Sequence, residues 1–197
     1  MEMTAAAAWL NQAFALYDHA ILGALHQLAI FAQGALTPFF RFVSLLADQG
    51  LGPLLLGLVM MAFQRTRRAG CCVFFGVFLG ALATNVLLKD LVARPRPFAD
   101  ATSQYWQWWR YVGMPQAGGL SFPSGHTTAT TAAMTALFLC GKGKKRYFAL
   151  LPPLVMGMSR NYLMVHYPSD VLAGLAVGAA GGLLAYLMVK RHMRLTD

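Results

Sequence analysis

Residues 69–88 read AGCCVFFGVFLGALATNVLL, twenty positions interrupted only by Thr84 and Asn85 and closed by Lys89-Asp90. About 20 apolar residues in a helix match the thickness of bilayer hydrocarbon, so this stretch predicts a membrane-spanning helix. Four further apolar runs surround it, at 51–63, 127–140, 147–158 and 171–189. The shorter runs must extend through polar residues at one end, where protein rather than lipid satisfies the backbone.

Composition agrees. Of 197 residues, 57% are hydrophobic and 12% charged, with a net charge of +9. That charged share is about half of what soluble domains carry, which excludes a disordered chain and an ordinary soluble globule. The basic excess does not point to nucleic acid, because it falls in short clusters between apolar runs. Arg65, Arg67 and Arg68 form one cluster, Lys142, Lys144, Lys145 and Arg146 the next, and Lys190, Arg191 and Arg194 the last. Two crossings separate each from the next, so all three lie on one side, and the positive-inside rule makes that side cytoplasmic. Cys71, Cys72 and Cys140 are an odd set in apolar surroundings and read as small packing residues.

The first 50 residues differ. Glu2 and the lack of any Lys or Arg near it exclude a cleavable signal peptide. Gln12, His19, His26 and Gln33 recur every seven residues beside Asn11 and Asp18, opposite Leu10, Phe14, Tyr17, Ile21, Leu25 and Leu28. This is an amphipathic helix lying in the interface; a spanning helix with its stripe facing the bundle is the competing reading. A second short helix is expected over 36–46, capped by Thr37 with Pro38 in its first turn. The expected organisation is therefore amphipathic helices over 1–50 and a transmembrane core over 51–197. The fold class is an all-α polytopic bundle of five to six transmembrane helices.

Lys89, Arg94, Arg96, Arg110 and Arg160 lie on the other side and break the positive-inside pattern, so a bound anion is expected there. Three segments supply most of that charge: Lys89 through Arg96-Pro97; Ser121 through Pro123-Ser124-Gly125-His126; and Ser159-Arg160 through His166 to Asp170. Each alone has a plain alternative, such as a snorkelling lysine, a turn or an interfacial histidine. Together they gather ionisable groups at one membrane face, where such groups are costly and usually functional. Asp90 is read as a local partner of Lys89 or Arg94. The connection 97–122 holds Tyr105, Trp106, Trp108, Trp109 and Tyr111, read as an interfacial aromatic belt or a wall beside the site.

These segments resemble the signature of the type 2 phosphatidic acid phosphatase superfamily: Lys, six residues, Arg-Pro; Pro-Ser-Gly-His; and Ser-Arg, five residues, His, three residues, Asp. All positions match in order, and the spacing selects Arg96 rather than Arg94. The resemblance implies a phosphatase using a covalent phosphohistidine, without metal or other cofactor. In it His166 is the nucleophile, Asp170 fixes its tautomer, and His126 is general acid and then base. Lys89, Arg96 and Arg160, with Ser124 and Gly125, would cradle the phosphate oxygens. No histidine pair has metal-ligand spacing.

The implied substrate is a membrane lipid phosphate, its headgroup in the cationic pocket and its tail in the bilayer. Undecaprenyl diphosphate comes first, since its diphosphate is exposed outside the plasma membrane, on the face expected for the site. Phosphatidylglycerol phosphate, phosphatidate and lipid A phosphate are the alternatives. Some prenyl-class relatives carry Asp where Gly125 stands. A small transporter would show internal symmetry, and none is visible; a soluble vanadate haloperoxidase would lack the spans; an inactive lipid-binding member would lack catalytic residues.

Overall fold

The computed structural model describes residues 3–194, with side chains through His192, and every regular element among the described residues is helical. Glu2 and the side chain of Arg194 lie outside the described residues. Helices α1 (Ala5–Ala13) and α2 (Ala15–Phe31) meet at a 65° bend. A tight turn at Asp48–Gly50 separates α3 (Thr37–Leu45) from α4 (Leu51–Ala62). Helix α5 (Arg67–Leu82) continues through a π-helical turn, Ala83–Leu88, into α6 (Lys89–Val92). The aromatic connection forms α7 (Gln104–Tyr111), followed by α8 (Gly125–Cys140), α9 (Leu151–Tyr162) and α10 (Pro168–Arg194).

Among the described residues, three stretches are long and apolar enough to cross a membrane, Thr37–Ala62, Arg67–Val92 and Pro168–His192, and the bent α1–α2 pair would add a fourth. Helices α8 and α9, at 16 and 12 residues, are shorter and pack within the same polytopic bundle. At most 33% of each apolar window is buried inside the protein. Leu55, Leu58, Val59, Phe75, Phe78, Leu184 and Leu187 face outward instead. So large an apolar surface is what lipid covers.

Small residues set the core. Gly174, Gly178 and Gly182 on α10 lie against the backbone of α8, where a Cβ would fall 2.8 Å from Ser124 O, 2.5 Å from Thr128 O and 2.5 Å from Ala132 O. Such residues let membrane helices approach closely. The pairing makes α8 and α10 parallel, while Gly80 beside Thr128 and Gly76 beside Ala132 make α5 antiparallel to both. Cys72, Val73 and Val77 pack on Ala129, Ala132, Ala133 and Ala136, and all three cysteines are free. This arrangement sends Arg67, Arg68, the 142–146 cluster, Lys190 and Arg191 to one end of the bundle. Lys89, His126 and Asp170 go to the other.

Thr37 does not cap α3. Leu36 holds that position, and the Thr37 hydroxyl lies 3.1 Å from the Tyr162 hydroxyl. A tertiary partner has displaced the local cap. The polar stripe of α2 meets protein: Asp18 is buried, and His19 and His26 stack on Trp108 with ring centroids 5.9 and 4.9 Å apart.

Candidate active site

A cavity of about 940 Å³ opens at the end of the bundle where the three segments converge, and Lys89, Arg96, Gly125, His126, Arg160 and His166 line it. The π-helical turn presents Thr84 and Asn85 to the same cavity just before Lys89; such turns often mark functional sites in helices. Left-handed Ala93 (φ 49°) ends α6 and lets the chain turn back through Arg96. His126 sits in the first turn of α8, Arg160 in the last turn of α9, and His166 in the turn before Pro168 opens α10. Ser124 and Asp170 are buried behind this wall, with Ser124 N–H donating to Asp170 O at 3.1 Å.

His166 is 2% exposed, with Nδ1 3.6 Å from Asp170 Oδ2 and Nε2 3.3 Å from Arg96 Nη1. The first separation is an ion-pair distance, longer than a hydrogen bond. Burial pushes the imidazole down to about 4; the Asp170 contact opposes that shift, and the Arg96 and Arg160 charges add to it. The ring is therefore neutral at pH 7. With Nδ1 turned to a carboxylate, the lone pair is left on Nε2, the form a nucleophile requires.

Asp170 is held from several directions. Arg94 Nη1 donates to Oδ1 at 2.7 Å, while Tyr167 N–H, at 2.9 Å, and the Ser121 hydroxyl donate to Oδ2. Arg94 also donates to Asp18 Oδ2 at 2.9 Å, Asn11 Oδ1 at 2.8 Å and Ser169 Oγ at 2.7 Å. Arg94 thus pairs with Asp18 and Asp170 and not with Asp90, whose charge acts instead on Lys89, the other local partner expected for it. A buried guanidinium is satisfied by buried carboxylates, and Asp90 is exposed.

The arginines that line the cavity are anchored differently. Arg96 donates to Val165 O and Gly118 O at 2.7 Å and to Gly119 O at 3.1 Å. Burial lowers it to about 10, so it stays charged at neutral pH. Arg160 donates from Nη1 to Ser44 Oγ, and its buried Nε has no partner. A donor left over at a cavity wall suits an anion's oxygen. At Gly125 a Cβ would meet only Thr84 Cγ2, at 4.0 Å. Protein packing therefore does not require glycine there, and the free space belongs to the cavity.

The structure adds residues that spacing alone did not single out. Arg94 and Ser121 hold Asp170, with Asp18 on the far side of Arg94; Arg41, Ser44 and Asp48 bring α3 and the turn after it to the cavity wall. One available signal was scarcity: with only seven acidic residues in the chain, an Asp in an apolar helix calls for a buried cation. Arg41 donates to Val112 O at 3.1 Å and Gly113 O at 2.6 Å, tying α3 to the end of α7, and Phe98 stacks on Trp109 at 4.5 Å. Among the described residues, no group of three His, Cys, Asp or Glu side chains is placed to hold a metal ion.

Residues 69–194 match the model of the PAP2 superfamily. The chain is 39% identical over 145 residues to decaprenylphosphoryl-5-phosphoribose phosphatase of Mycobacterium tuberculosis, covering 72% of this chain and 74% of that one. It is 35% identical over 125 residues to lipid A 1-phosphatase of Rhizobium johnstonii, covering 62% of this chain and 48% of that one. The crystal structure of Aquifex aeolicus LpxE superposes with a TM-score of 0.62 at 23% identity, over 80% of this chain and 93% of that one. At that identity the likeness bears on the fold.

Proposed function

The chain belongs to the PAP2 superfamily and is a membrane phosphatase, and on that premise we propose that it dephosphorylates an isoprenoid lipid through a phosphohistidine at His166. The observation that carries this reading is the buried, neutral His166. Asp170 backs its Nδ1, and the ring lines the cavity beside Arg96 and Arg160. In the first step Nε2 attacks phosphorus, so that the N–P bond forms as the P–O bond breaks. The imidazolium of His126 gives its proton to the departing oxygen. In the second step neutral His126 takes a proton from water, the water oxygen attacks phosphorus, and the N–P bond breaks to release phosphate. Lys89, Arg96 and Arg160 neutralise the equatorial oxygens throughout. Gly125, at the N-terminus of α8, adds a backbone hydrogen-bond donor, and Ser124, expected beside it, instead lies behind the wall with its N–H given to Asp170 O.

The decaprenyl tail in the name of the mycobacterial relative supports an isoprenoid substrate, and undecaprenyl diphosphate is the one we place first. The cavity, at about 940 Å³, has room for a headgroup larger than one phosphate. The basic clusters at the opposite end of the bundle support a plasma-membrane protein with this site on the extracytoplasmic side. Lipid A phosphate is the second reading, favoured by the rhizobial relative.

The test is phosphate release by the purified protein from undecaprenyl diphosphate, phosphatidylglycerol phosphate, phosphatidate and lipid A in detergent. The highest kcat/KM is expected on undecaprenyl diphosphate. A preference for lipid A or a glycerolipid would replace the substrate, and hydrolysis of none would remove the reading.

A further inference from the structure

The stretch 37–62 is a candidate span broken in its middle. Gln49 (φ 49°, ψ 17°) and Gly50 (φ 76°, ψ 4°) are both left-handed, between α3 and α4. For a residue other than glycine that conformation is strained, because Cβ crowds the following carbonyl oxygen. Inside an apolar stretch, irregular backbone persists where it is buried in protein or lines a cavity, and strain of this kind gathers at functional sites. Here the break lines the cavity with Asp48, Gln49 and Gly50.

Asp48 Oδ1 lies 3.6 Å from His126 Nε2. One turn earlier, Ser44 receives the Arg160 guanidinium. Among the described residues lining the cavity, Asp48 is the sole carboxylate, against Arg41, Lys89, Arg96 and Arg160. It also lies outside the residues matched to the superfamily, 69–194.

We propose that Asp48 is a positioning residue for His126, its carboxylate keeping on that imidazole the proton that the leaving oxygen takes. The proposal rests on the phosphatase reading above. A general acid must be protonated before the bond breaks. Burial disfavours the His126 imidazolium most, and the positive charges of Arg160 from α9, Arg96 from the connection after α6 and Lys89 from α6 add to that, while the neutral ring of His166 faces it from the turn before α10. Asp48, from the break after α3, supplies the opposing charge. Its 3.6 Å separation exceeds a hydrogen bond, so the carboxylate favours the charged ring without holding the proton against transfer.

The experiment compares wild type, Asp48→Asn and Asp48→Glu on two monoesters, phosphatidate and 4-nitrophenyl phosphate, from pH 5 to 9. Phosphatidate releases an alkoxide that needs the proton; nitrophenolate leaves without it. Removing the anion lowers the pH at which His126 loses its proton, so the alkaline limb of kcat/KM on phosphatidate should move down by about one unit in Asp48→Asn. At pH 7.5 its kcat on phosphatidate should fall at least about tenfold with KM not raised, while the loss on 4-nitrophenyl phosphate stays under about threefold. Asp48→Glu should recover most of the loss. Equal losses on both substrates with an unmoved limb, or no loss at all, would overturn the role of Asp48 alone. A wild type inactive on both substrates and on undecaprenyl diphosphate would overturn the phosphatase reading and Asp48 with it.

Discussion

Arg94 Nη1 donates to Asp170 Oδ1 at 2.7 Å, both side chains being fully buried. The same guanidinium reaches Asp18 on α2 at 2.9 Å, so the orientation of the aspartate behind His166 depends on the N-terminal part of the chain. Arg94→Ala would leave two buried carboxylates without their cation, a loss of about 3–5 kcal/mol for a broken buried pair. Both the melting temperature in detergent and phosphatase activity should drop sharply, while Asp18→Asn, which can still accept a hydrogen bond, should cost less. An Arg94→Ala protein that melts and turns over like wild type would remove this role.

With His166 as the proposed nucleophile, the acid limb of kcat/KM should report its titration. Its imidazole is held down to about 4, chiefly by burial, so nucleophilic activity is present above that pH and lost as pH falls through it. Asp170 favours the charged ring; Asp170→Asn should therefore move the limb to still lower pH while reducing kcat. Arg96→Gln removes a cation that disfavours the charged ring and should move the limb up. Shifts of the opposite sign in pH–rate profiles would exclude His166 as the titrating group.

Rapid quenching with a labelled phosphate ester should trap an acid-labile phosphoryl group on wild type and none on His166→Ala. In His126→Ala the second step lacks its base, so 4-nitrophenyl phosphate should load the enzyme while turnover slows at least about 10²-fold. A phosphoryl group that maps elsewhere would redirect the mechanism.

Vanadate, which adopts the five-coordinate geometry of phosphoryl transfer, should inhibit, and activity should survive EDTA because the cradle supplies its charge from side chains. Arg160→Lys keeps the charge but loses the planar fork and the orphan Nε donor, so vanadate affinity should fall well over tenfold. Arg110→Ala, whose guanidinium lies over the Trp106 ring at 4.8 Å, should bind vanadate as wild type does. Activity abolished by EDTA and restored by a divalent ion would overturn a side-chain cradle.

Single cysteines at Arg67, Asp100 and Lys144 in a cysteine-free protein test the orientation. Asp100, in the connection beside the site, should react with an impermeant thiol reagent on intact cells, and the other two should not. The reverse pattern would put the site in the cytoplasm.

The convergence of the three segments was legible from their residue types and spacings: Lys89, Arg96, His126, Arg160 and His166 all reach one cavity. The span at 69–88 was legible because its polar interruptions were few. The break between the helix at 36–46 and the run at 51–63 was legible too, but nothing in DQG announces that Gln49 turns left-handed or that the break lines the cavity. Of the two local partners offered for Asp90, Lys89 feels its charge, but Arg94 does not pair with it, because the bond that formed bridges 76 positions to Asp18. Such long-range pairing depends on which helices are neighbours, and hydrophobic periodicity does not specify that.

The glycines of α10 set how much clearance the catalytic groups can tolerate. His126 rides on α8 two residues past Ser124, and Asp170 precedes Gly174 by four. The spacing between His126 and the aspartate behind His166 is therefore gauged by backbone and Cβ atoms, with no long side chain to act as a spring. A methyl group at Gly178 would fall 2.5 Å from the Thr128 carbonyl and 2.6 Å from Thr131 Cβ, and neither is the far end of a flexible chain that could swing aside. One helix would have to retreat bodily, and a misplacement of about 1 Å can cost about 10²-fold in rate. A neutral substitution deep in the bundle, far from any arginine, could thus silence turnover while the anion is still captured.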